Sequence, residues 1–129
     1  MKLRINGNEL RLRLNQAEVA QFSKTGFIEE AIEFAPGARL AFSLESLSKL
    51  ETPQALYQNG WVRIQVPGAA AADWFTNETV GMGGKQTLAD GKQLSILIEK
   101  DFQCLHSPEG TEPHAYPNPQ DASPPAKAR

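Results

Sequence analysis

The most apolar run of the chain lies between Leu94 and Leu105 and has the sequence LSILIEKDFQCL. Within it, Ile96, Leu97 and Ile98 place apolar side chains on both faces of an extended strand. A strand that is covered on both faces has apolar residues at consecutive positions, whereas a half-solvated strand alternates apolar and polar residues. The run therefore predicts a strand in the interior of a β-sheet.

Charged residues interrupt the same run before its last apolar positions. Glu99, Lys100 and Asp101 follow the strand, and Cys104 comes shortly after them. Charges between apolar anchors either form ion pairs at a strand end or line the rim of a site. We treat Glu99, Lys100, Asp101 and Cys104 as a candidate surface or pocket cluster.

The overall composition excludes several classes of protein. The 129 residues fit one domain and carry a net charge of −2, whereas domains that wrap nucleic acid are usually strongly basic. No stretch approaches the roughly 18 consecutive apolar residues of a membrane span, and no apolar segment of a secretory signal follows the first basic residues. A single cysteine allows no intramolecular disulfide, which favours a cytoplasmic location. Nothing in the sequence indicates an oligomeric state.

The first half of the chain predicts a hairpin, a helix and a second hairpin. Residues 1–14 alternate around an Asn6-Gly7 turn, and Asn15 with Glu18 can form a capping box for a helix that ends at Gly26. Two strands follow at 27–34 and 39–45, but Glu30 shares the parity of the apolar residues in the first of them. Either a β-bulge takes Glu30 out of register, which is the favoured interpretation, or its carboxylate points inward and needs a partner.

The second half repeats this pattern. Its predicted elements are strands at 56–58 and 61–66, a helix at 68–75 and strands at 80–84 and 93–100. In the alignment of the halves, Ile64 falls on Leu12, Arg63 on Arg11 and Glu99 on Glu45. This similarity predicts that the chain arose by duplication of one unit. The alternative is that two unrelated segments share the same hydrophobic spacing by convergence.

The repeat predicts an α+β domain over residues 1–106. Two similar β-β-α-β-β halves, at about 1–46 and 54–101, would be related by a pseudo-twofold axis. They would form one mostly antiparallel sheet or a partly closed barrel, because one unit of this size buries little surface alone.

Residues 107–129 differ from the rest of the chain. Six of the nine prolines lie there and almost no aliphatic residue does, which predicts a proline-rich arm or a disordered tail. Tyr116-Pro117-Asn118-Pro119 is the exception, since a stiff aromatic and proline segment loses little entropy on docking. Tyr116, Pro117, Asn118 and Pro119 are therefore a candidate partner-docking arm.

Cys104, His106 and His114 are the soft metal ligands of the chain. With nearby carboxylates such as Glu99 or Asp101 they could hold zinc, although their spacing matches no established zinc motif. Cys104 with a histidine could also act as a nucleophilic pair, but no catalytic signature surrounds the cysteine. No cofactor is predicted from the sequence, and zinc is a possibility at these residues only.

Several segments resemble a small bacterial family of proteins of unknown function. They are KLRINGNELRLRLNQAEVAQF at the start, EEAIEF in the centre, and ILIEKDFQCL with YPNP near the end. The resemblance covers residues 1–119 and implies that Lys100, Asp101, Phe102, Cys104 and the segment 116–119 belong to the defining part of the domain. It implies no activity, cofactor or partner.

The sequence as a whole favours a non-enzymatic cytoplasmic protein that acts as an accessory or protein-interaction domain. The absence of a catalytic motif and the aromatic residues Trp61, Trp74 and Tyr116 are the basis for this interpretation. The alternative is a metal-binding protein or metal-dependent hydrolase that uses Cys104, His106, His114 and nearby carboxylates.

Overall fold

A computed structural model describes residues 1–76 and 81–101 of the chain. Within these residues the chain forms eight strands and two helices in the order β-β-α-β-β-β-β-α-β-β. The elements are β1 (Lys2–Asn6), β2 (Glu9–Leu14), α1 (Gln16–Thr25), β3 (Phe27–Ala35), β4 (Ala38–Leu47), β5 (Gln54–Gln58), β6 (Trp61–Pro67), α2 (Gly68–Thr76), β7 (Gly81–Thr87) and β8 (Gln93–Lys100). The predicted α+β class is confirmed, and the predicted bounds of β8 match. The predicted arm at 107–129 lies outside the described residues.

The strands form two separate sheets. The first sheet has the strand order β1-β2-β8-β7 and the second has the order β3-β4-β6-β5. In each sheet the two outer pairings are antiparallel, and the central pairings, β2 with β8 and β4 with β6, are parallel. The prediction of mostly antiparallel pairing therefore holds.

The prediction of one continuous sheet or a partly closed barrel was wrong. Each helix carries the chain from one sheet to the other, α1 between β2 and β3 and α2 between β6 and β7. The two sheets therefore do not continue each other by hydrogen bonding and instead direct their apolar faces into one shared core. Hydrophobic alternation identifies the apolar face of a strand but does not say which sheet the strand joins.

Both sheets and both helices contribute to this core. Ile96 and Ile98 of β8 are 2% and 0% exposed, and β8 lies between β2 and β7. The predicted interior position of this strand is therefore confirmed. The rings of Phe22 in α1 and Trp74 in α2 meet edge to face at 6.5 Å between centroids, so the helices pack together over the core.

Helix α1 begins and ends as its sequence predicts. The Glu18 N–H donates to Asn15 Oδ1 at 2.9 Å, and the Asn15 N–H donates to Glu18 Oε1 at 2.9 Å, which completes the capping box. At the other end Gly26 adopts a left-handed φ of 73° and its N–H donates to the Phe22 carbonyl. These caps fix the direction in which the chain enters β3.

Glu30 does not lie in a bulge, so the favoured interpretation of this residue was wrong. It pairs in regular register with Phe42, and the irregularity of β3 falls between Glu33 and Ala35. The alternative holds in part. The Glu30 side chain is 43% exposed rather than buried, but its carboxylate has a partner, since it accepts a hydrogen bond from the Met1 ammonium at 2.5 Å.

Candidate functional site

The two ends of the shared core differ. Helices α1 and α2 start directly after β2 and β6 and cover the end of the core where these strands finish. At the opposite end, where β2, β6 and β8 begin, the described residues contain no helix and leave an apolar groove. We call this feature the open-end groove.

The open-end groove lies between the β1-β2 and β5-β6 hairpins and has a volume of about 220 Å³. Its apolar lining comes from both sheets, namely Ile5, Leu10, Ala55, Tyr57, Val62 and Leu94. Ile5, Leu56 and Tyr57 stand on its rim with exposed fractions of 66%, 45% and 70%. Because water contacts so much apolar surface here, covering the groove would be favourable.

The charged cluster predicted at the end of β8 is divided between two faces of the sheet. Glu99 lies opposite Arg13 in the β2–β8 register and accepts from its Nε at 3.4 Å. Asp101 accepts from Lys2 Nζ at 3.1 Å. Lys100 points to the other face, where its Nζ lies 5.6 Å from the centroid of the Trp74 ring.

In this geometry Glu99, Lys100 and Asp101 each have a partner within the described residues. Their charges are matched by partners on neighbouring strands or by an aromatic ring, and partly exposed pairs of this kind contribute about 0–1 kcal/mol each. Cys104, the fourth member of the predicted cluster, lies outside the described residues, so its place beside them stays a prediction.

A second charged cluster surrounds the first residue and was not predicted as a unit. The Met1 ammonium donates to the carboxylates of Glu18 and Glu30, while the Met1 side chain is buried in the core. Burial opposes ionisation of the Glu18 carboxyl, but hydrogen bonds from the ammonium and from the Asn15 N–H outweigh it and lower the Glu18 pKa below 4.5. Burial likewise opposes the ammonium charge, and its bonds to the two carboxylates raise its pKa above 8.0.

The sequence contained part of the signal for this cluster. The capping box identifies Glu18, and the apolar parity of Glu30 indicates a carboxylate in need of a partner. Neither pattern indicates that both carboxylates meet the same cation, because that contact depends on how β1 lies against β3 and α1.

The two tryptophans do not provide the exposed aromatic surface that the sequence suggested. Trp74 is 1% exposed and belongs to the core. Trp61 is half-buried, donates from Nε1 to Ser43 Oγ at 3.2 Å and is covered by the Arg63 guanidinium 4.8 Å from its ring centroid. Tyr57, at the rim of the groove, is one of the exposed aromatic side chains that reasoning from the tryptophans missed.

Residues 1–76 and 81–101 contain no group of three or more histidine, cysteine, aspartate or glutamate side chains that could hold a metal ion. The predicted metal ligands Cys104, His106 and His114 and the candidate arm Tyr116–Pro119 lie outside these residues. Over the same ranges no helix is both long enough and apolar enough to cross a membrane.

The fold and the site define an α+β domain with two open sheets, a helix-covered end and an exposed apolar end. The chain belongs to a family of unknown function, DUF7009, whose model matches residues 1–120. This confirms the resemblance to a family without an assigned function. The match continues beyond the described strands through Tyr116–Pro119. No curated protein and no solved structure matches the chain.

Proposed function

We propose that this protein is a non-enzymatic interaction domain and that its open-end groove receives one large apolar side chain of a partner protein. The observation that carries this proposal is the exposure of Ile5, Leu56 and Tyr57 around an apolar concavity. Binding energy at protein interfaces concentrates in a few anchors that fill such pockets.

The size and chemistry of the groove favour a protein anchor over a small-molecule substrate. Its volume of about 220 Å³ lies below the usual range of about 300–1,000 Å³ for drug-sized ligand pockets. Most of its lining side chains are apolar. The two polar ones already have partners, because Asn8 donates to the Gln93 carbonyl at 2.8 Å and Glu9 pairs with Arg11 at 3.6 Å. The groove therefore offers burial rather than the convergent polar groups that catalysis requires.

We also infer that the two halves of the domain are related by a pseudo-twofold axis that passes near the groove. In support, Leu12 lies opposite Ile98 in the first sheet, and their aligned counterparts Ile64 and Leu44 lie opposite each other in the second. The same alignment relates Leu10 to Val62, and both line the groove. A cytoplasmic location remains part of this proposal because the chain has a single cysteine.

A photo-crosslinking experiment tests the groove. Benzoylphenylalanine is placed at Tyr57 in the full chain, expressed in its native cells, and the same group at Lys24, an exposed residue of α1, is the matched control. We expect Tyr57 to crosslink to one partner protein that the Lys24 variant does not capture. Ile5→Asp, which puts a charge on the groove rim, should abolish that crosslink because the charge would be buried beneath the partner.

Three outcomes would overturn this proposal. Equal capture from Tyr57 and Lys24 would show non-specific contact. A crosslink from Tyr57 to residues 116–119 of the same molecule would make the arm the occupant, and a covalent dimer would make it a second copy. Circular dichroism of Ile5→Asp distinguishes loss of binding from loss of folding.

A further inference from the structure

Strand β3 forms an open border of the second sheet. Among the described strands it pairs with β4 alone, and it extends over nine residues, from Phe27 to Ala35. Every residue of the strand except Ile28 is exposed. An edge strand of this length presents unpaired backbone N–H and C=O groups that another extended segment can use.

Large apolar side chains are exposed to solvent along this edge. Phe34 is 71% exposed and Ile32 is 51% exposed, and Phe27 lies at the other end of the strand with 36% exposed. Together they leave exposed apolar area along a nine-residue edge that contains no proline. Its glutamates and the irregularity between Glu33 and Ala35 are features that protect an edge against non-specific pairing.

The charged residues of β3 are all acidic, and Arg39 of β4 lies opposite Glu33 in the register of the strand pair. Glu29 and Glu33 lie on one face of β3, two positions on either side of Ala31. Within residues 1–76 and 81–101 neither carboxylate forms an ion pair, whereas Glu30 on the other face contacts the Met1 ammonium. Four residues of strand separate the two carboxylates by about 13 Å.

These charges argue against a second copy as the occupant. If two β3 strands paired antiparallel about Ala31, Glu29 of each copy would lie opposite Glu33 of the other. Like charges directly opposite each other destabilise a strand pair. The complementary occupant instead carries cations at the same spacing.

We propose that β3 binds an extended basic segment of another protein by strand addition. Two lysines or arginines four residues apart on that segment pair with Glu29 and Glu33, and backbone hydrogen bonds continue the second sheet. Apolar residues on the other face of the segment cover Ile32. This site is separate from the open-end groove and does not depend on it.

A peptide titration of the full-length protein tests the proposal. The probe is the fluorescent peptide valine-lysine-valine-threonine-valine-lysine-valine, which places both lysines on one strand face. A peptide of equal composition with adjacent lysines controls for charge alone, and a peptide N-methylated at alternate residues controls for backbone pairing. We expect binding of the first peptide only.

Variants with reversed charge on β3 provide a second test. Glu29→Lys with Glu33→Lys should weaken binding of the lysine peptide by about tenfold and permit binding of its glutamate counterpart. Glu51→Lys changes the net charge at an exposed loop residue and should leave affinity unchanged. The proposal would be overturned if the N-methylated peptide bound as tightly as the first peptide. It would also be overturned if the variant with Glu29→Lys and Glu33→Lys did not prefer the glutamate peptide. Loss of binding in Ile5→Asp would place the peptide in the groove instead and would overturn it too.

Discussion

Gly83 in β7 is a position where a single methyl group should disturb the sheet. A Cβ at this residue would lie 2.2 Å from the Ile96 carbonyl oxygen and 3.1 Å from Leu97 Cα. Both atoms belong to the backbone of the central strand β8, so relief requires movement of a hydrogen-bonded ladder. Overpacking that forces backbone shifts costs about 1–3 kcal/mol, and we expect Gly83→Ala to reach the upper end of about 3 kcal/mol.

Urea and thermal denaturation of the full chain, followed by circular dichroism, measure this loss. For a domain of this size a change of about 3 kcal/mol should lower Tm by roughly 10–20 °C. Lys85→Ala, at an exposed position of the same strand, should stay within about 0.5 kcal/mol of wild type. If Gly83→Ala also stayed within that margin, β7 could move away from β8 freely and the reasoning would be refuted.

Three further predictions concern the core and the two charged clusters. Ile98→Ala should lower the free energy of unfolding by about 2–5 kcal/mol in urea, because the side chain is fully buried; a loss as small as that of exposed Leu56→Ala would contradict its central position. Glu18→Gln should destabilise the protein at neutral pH. The difference from wild type should shrink as pH falls below 4.5, because the depressed pKa of Glu18 gives stability that protonation removes; a pH-independent difference would exclude the ion pair with Met1. Glu99→Gln should cost at most about 1 kcal/mol and reduce the dependence of stability on salt, and a larger, salt-independent loss would assign Glu99 another role.

Local patterns in this sequence predicted the local structure well. The apolar run at Ile96 and Ile98 indicated an interior strand, and that strand lies between β2 and β7. Asn15, Glu18 and Gly26 indicated both ends of α1, and each residue makes its expected cap. These features depend on residues within one or two turns of each other, so periodicity and capping chemistry are sufficient to identify them.

The arrangement of the hairpins could not be obtained in the same way. One β-β-α-β-β pattern is compatible with a continuous sheet or with two sheets joined by crossing helices, because the alternation within each strand is identical in both. The contact between Glu30 and Met1 shows the consequence, since it joins β3 of one sheet to the residue that precedes β1 of the other. A bulge at Glu30 was the simpler explanation while both strands were assigned to one sheet.

Within the described residues, the carboxylates of both charged clusters are ones whose charges the fold has already matched. Glu99 and Asp101 contact basic residues of β1 and β2, and Glu18 contacts the ammonium of Met1. The surfaces left incomplete within the described residues are instead apolar or made of backbone, at the rim around Tyr57 and along the edge of β3. Covering an exposed apolar or backbone surface of this kind lowers the free energy of the system. Such surfaces therefore suit binding rather than catalysis at a single atom. This difference is the physical reason for proposing that the domain binds other proteins.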